Sequence, residues 1–82
     1  MNTRLIQKGK LQEMKYQRRR LSFKAETLME TITADLALYK VTKITDINTE
    51  SIKYAADELH DIRTQAAELD TDIAELEAEL NG

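Results

Sequence analysis

The chain has 82 residues, 12 Lys or Arg against 15 Asp or Glu, and a formal net charge of −3. A chain this short folds as at most one small domain with a marginal core. It has four aromatic residues and no Trp, Pro or Cys, which leaves little bulk for a globular interior and excludes disulfides and thiolate metal sites. No window approaches the roughly 20 apolar residues of a membrane span, and the N-terminus lacks the apolar run of a signal peptide, so a cytoplasmic location is expected.

The first 24 residues hold eight Lys or Arg and the single acid Glu13, about +7. Leu11, Met14, Leu21, Ala25, Leu28 and Ile32 recur at steps of three and four, the spacing of one helix face, with Arg18 on the same seam. This predicts a first helix over about residues 10–40. Gly9 weakens the turn before it, so residues 1–9 are expected to be frayed or irregular. At Asp35 an apolar residue is due and absent. Leu36 and Tyr39 are expected to take over, a stutter that locally unwinds a coiled coil.

Residues 41–47 form the expected connection, where a β-branched run with Thr42, Thr45 and Asp46 disfavours helix. The second helix is predicted over about 49–80, with Asn48 as its N-cap, Ile47 stapling onto Ile52, and Asn81 and Gly82 ending it. Ile52, Ala55, Leu59, Ile62, Ala66, Leu69, Ile73, Leu76 and Leu80 fill nine consecutive seam positions of a heptad. Residues 57–82 hold nine acids against Arg63 alone, about −8.

Each helix carries its charge at the end where it opposes the macrodipole, and pairs such as Glu68/Asp72 and Glu75/Glu79 repel at a spacing of four. An antiparallel arrangement relieves both by laying the basic start beside the acidic end. One register matches large seam residues with small ones: Leu21 with Ala66, Ala25 with Ile62, Ile32 with Ala55, alongside Leu28 with Leu59 and Leu11 with Leu76. In it Lys15 is expected to face Asp70, Lys8 to face Glu77 and Lys10 to face Glu79, while Arg18 lies along Leu69 with its head near Asp70 or Asp72. A slip of one heptad, setting Lys24 against Asp72 and Lys15 against Glu77, is the alternative. A parallel homodimer would press acidic flanks together.

The fold class expected is therefore all-α: a single domain over residues 1–82, an antiparallel two-helix coiled-coil hairpin. Leu5, Ile6, Met29, Leu38, Val41, Ile44, Ala67 and Ala74 lie off the seam and provide for dimerisation into a four-helix bundle.

No catalytic, cofactor-binding or metal residues are expected. There is no Cys, no second His, no Gly-rich phosphate loop and no Ser beside a plausible base. His60 between Asp57 and Asp61 is too little for a metal centre, and Ser22 and Ser51 read as structural. Tyr39 and Tyr54 read as caps on the hairpin's closed end. The expected role is a non-enzymatic interaction or adaptor protein with an unidentified protein partner. Two other readings use charges of opposite sign. Arg19, Arg20, Lys8, Lys10, Lys15 and Lys24, with Tyr16 and Phe23 nearby for stacking, suit a nucleic-acid-associated regulator. Asp57, Asp61, Glu68 and Glu75 form an acidic face of the kind that mimics a phosphate backbone and inhibits a nucleic-acid enzyme.

Overall fold

A computed structural model describes residues 2–37 and 43–81 of the chain. Helix accounts for 95% of them, and none lies in a strand. α1 spans Thr3–Ala37 and α2 spans Thr49–Asn81, with a single 3-10 turn at Ile44–Asp46 before α2. The two long helices pack against each other as a hairpin measuring 64 × 17 × 14 Å.

α1 begins well before the expected residue 10 because Asn2 caps it. The Asn2 Oδ1 accepts hydrogen bonds from the backbone N–H of Arg4 (3.1 Å) and Leu5 (3.3 Å), satisfying donors that the first turn leaves without helical partners. The far end of α2 then holds this turn in place. Arg4 Nη2 donates to the Leu80 carbonyl at 2.7 Å, and Gln7 Nε2 donates to Glu79 Oε2 at 3.3 Å. Arg4 thereby places positive charge on a terminal carbonyl, where the α2 dipole is negative. These gains outweigh Gly9, which sits inside α1 with nothing within 4 Å of where a Cβ would stand.

At its other end α1 departs from the expected stutter. Asp35 keeps its seam position, half-buried, and accepts a hydrogen bond from Ser51 Oγ at 2.7 Å, while Leu36 remains 50% exposed. A satisfied carboxylate at the seam removes the reason for the phase to shift. Tyr39, the second residue of that expectation, lies outside the described residues, as do Leu38, Val41 and Thr42.

α2 starts as its sequence indicates, with Asn48 Oδ1 accepting from the Ser51 N–H at 3.0 Å and the Asn48 carbonyl accepting from the Ile52 N–H at 3.3 Å. Ile47 and Ile52 are both half-buried. In the 3-10 turn the Lys43 carbonyl accepts from Asp46 N–H at 2.9 Å, which gives the β-branched connection a local hydrogen bond without Gly or Pro.

Arg4 meets Leu80 and Asp35 meets Ser51, so the helices run antiparallel. All nine α2 seam residues are buried or half-buried, as are Leu11, Met14, Arg18, Leu21, Ala25, Leu28 and Ile32 on α1. The best-packed part is the open end, where Leu11, Leu76 and Leu80 form a buried cluster flanked by Met14 and Ile73. This cluster fixes the register. Leu11 lies with Leu76 as expected, whereas the slipped alternative would have set Leu76 against Arg18. Burial of this seam is the main favourable contribution, at about 25 cal/mol per Å² of apolar surface removed from water.

Candidate interaction surfaces

The register decides which charges meet. Arg18 comes from the seam itself, its stem between the helices and its head turned to the edge. Nε donates to Asp70 Oδ1 at 2.7 Å, Nη2 lies 3.5 Å from Oδ2, and Nη1 donates to Ser22 Oγ at 2.7 Å. This matches the expected placement of Arg18 and gives Ser22 its structural part.

The expected lysine partners are not the ones adopted. Lys15 Nζ lies 3.5 Å from Glu77 Oε1 and makes no ion pair with Asp70. In an antiparallel pair a flanking residue of this class lies between two successive flanking positions of the opposite helix, here Asp70 and Glu77. Arg18 already occupies Asp70, so Lys15 turns to Glu77 without any slip. Lys8 is exposed and forms no ion pair within 4.0 Å among the described residues, since Glu77 is taken. Lys10 lines a shallow groove with Asp72, Glu75 and Glu79 but stays beyond 4.0 Å, and Gln7 bonds Glu79 instead.

The remaining basic residues point outward. Arg19, Arg20 and Lys24 are exposed on α1, and the Arg20 guanidinium lies 6.0 Å from the centroid of the Tyr16 ring, a cation–π contact. Tyr16 and Phe23, one heptad apart, are 55% and 66% exposed on the same outer surface. On α2, Asp57, Asp61, Glu68 and Glu75 are all exposed. The hairpin thus exposes basic residues around the middle of α1 and acidic residues along α2. His60 is exposed, and among the described residues no three His, Cys, Asp or Glu side chains gather as a metal site would require.

Tyr54 is exposed on α2 near the connection, where its hydroxyl donates to Glu58 Oε1 at 2.9 Å. That hydrogen bond, followed by the repulsion of the Glu58 charge against a phenolate, raises its pKa above the ordinary 10.0. Among the described residues it pairs along its own helix; Tyr39, the other residue expected to cap the closed end, lies outside them.

Sequence reasoning missed Arg4, Gln7 and the Asp35–Ser51 bond. A signal for each was present: continuing the heptad upstream from Leu11 puts Gln7 and Arg4 on the seam, and the matched register brings Asp35 to Ser51. Compared with known proteins, the chain matches no family model, and no curated protein or solved structure is significantly similar to it.

Proposed function

We propose that the chain is a non-enzymatic interaction or adaptor protein, a coiled-coil hairpin that self-associates as a homodimer in the cytoplasm and presents two oppositely charged edges to protein partners. The observation that carries this reading is the state of those edges. Of the basic residues of α1, only Lys15 and Arg18 form ion pairs among the described residues; Lys8, Lys10, Arg19, Arg20 and Lys24 stay exposed, as do Asp57, Asp61, Glu68 and Glu75 on α2. Long-range complementarity of this kind steers association and selects partners.

A second reading has its own support. Arg19 and Arg20 point to solvent with Tyr16 beneath Arg20 and Phe23 exposed one heptad on, an arrangement suited to stacking bases and contacting phosphates. Binding to duplex and single-stranded oligonucleotides at low and moderate salt separates the two. The adaptor reading expects no binding that survives moderate salt. Salt-sensitive binding that disappears in Arg19→Glu/Arg20→Glu establishes the nucleic-acid reading instead.

A further inference from the structure

Two helices in contact along one seam leave both edges of that seam open. Along the edge that carries Arg18 and Asp70, the residues are small: Ser22 and Ala25 on α1, Ala66 and Ala67 on α2, with Met29 at one end. They leave a groove of about 500 Å³ floored by Leu21, Leu59 and Ile62. Leu21, Ala25, Leu59 and Ala66 are only half-buried there, so the middle of the core is unfinished. The walls carry charge in an alternating pattern. Arg18 on α1 stands opposite Asp70 on α2, whereas Glu26 on α1 and Arg63 on α2 reverse the signs and form no ion pair within 4.0 Å among the described residues.

We infer that this groove is covered by the same groove of a second copy, the two hairpins pointing the same way about a two-fold axis parallel to the helices, so that each α1 lies over the other copy's α2. The inference rests on the self-association reading above and adds its face and its orientation. The wall charges favour it because the operation sets Glu26 against Arg63 of the second copy, and Arg63 against its Glu26, in one isologous contact. The poles favour it as well, since the basic half of each α1 then lies beside the acidic half of the opposing α2. In the reverse orientation Glu75, Glu77 and Glu79 would lie beside residues 49–56 of the other copy, where Lys53 is the only base. Area is consistent with a partner. The chain exposes 6557 Å², against roughly 5,000 Å² for a compact monomer of this mass. The excess exceeds the ~800 Å² that each partner buries in a standard interface.

Sedimentation equilibrium on four forms tests this: the native chain, Glu26→Arg, Arg63→Glu and the double variant, each checked for helix content. The native chain is expected to dimerise. Each single variant sets two like-charged contacts across the axis and weakens the dimer about tenfold, while the double variant restores it. An equimolar mixture of the two single variants is expected to form a mixed dimer about tenfold tighter than either variant forms alone, a result that no effect within one chain produces. Spin labels on Thr45→Cys, on the otherwise native chain, are expected at a mutual distance well under half the 64 Å length of the hairpin. A monomeric native chain overturns this inference and the self-association reading together. A dimer indifferent to the charge reversals, or one with its labels about a molecular length apart, overturns the groove pairing and leaves self-association standing.

Discussion

Lys15 shows how a single side chain chooses between partners that sequence spacing leaves equivalent. It pairs with Glu77 at 3.5 Å because Asp70 is committed to Arg18. Both side chains of the Lys15 pair are roughly 40% exposed, so the pair contributes up to about 1 kcal/mol and its main effect is on register. Lys15→Glu is therefore expected to destabilise the hairpin by about 1 kcal/mol, with Glu77→Lys restoring much of the loss. Adding Asp70→Lys instead is expected to give no rescue, because it also breaks the Arg18 pair; urea unfolding of the double-mutant cycle measures both. Tyr54 makes a second prediction at this scale. Its folded pKa is raised, so whatever stability its neutral form contributes is fully present below the ordinary tyrosine value and is lost as pH rises through the higher one. Glu58→Gln is expected to bring the Tyr54 titration, followed by NMR of its ring, back toward the ordinary value.

At the scale of the element, α1 is the informative helix. Its first turns are held by a cap and by two side chains that reach α2, and this holding is what tolerates Gly9. Gly9→Ala meets no atom within 4 Å and is expected to stabilise by about 1 kcal/mol, raising the thermal midpoint with no change in α2. α2 was fully legible beforehand, since nine apolar seam residues and a good N-cap agree on one helix. The ends of α1 were less so. Arg4, Gln7 and Asp35 occupy seam positions with polar side chains, and a pattern read from apolar residues passes over them. Their places are set by partners some 16 to 76 residues away, and such pairings emerge only once the register is known.

For the whole molecule, orientation and seam register followed from charge and volume. The individual ion pairs did not, because Lys15 has two acids within reach, Asp70 and Glu77, and its choice depends on what Arg18 already holds. The candidate surfaces were legible as residues and not as geometry: Arg19 and Arg20 lie midway along α1, Asp57 and Asp61 in the half of α2 nearer the connection and Glu68 and Glu75 in the other half, all exposed. Everything functional proposed here depends on the antiparallel hairpin holding in solution. The direct measurement is the distance between spin labels on Gln12→Cys and Ala78→Cys of one chain, diluted into unlabelled protein so that only pairs within a chain are read. The hairpin predicts a separation of a few tens of ångströms at most, set by neighbouring helix axes about 10 Å apart plus the label arms. A separation near the roughly 100 Å of one continuous helix, at 1.5 Å per residue, would contradict it.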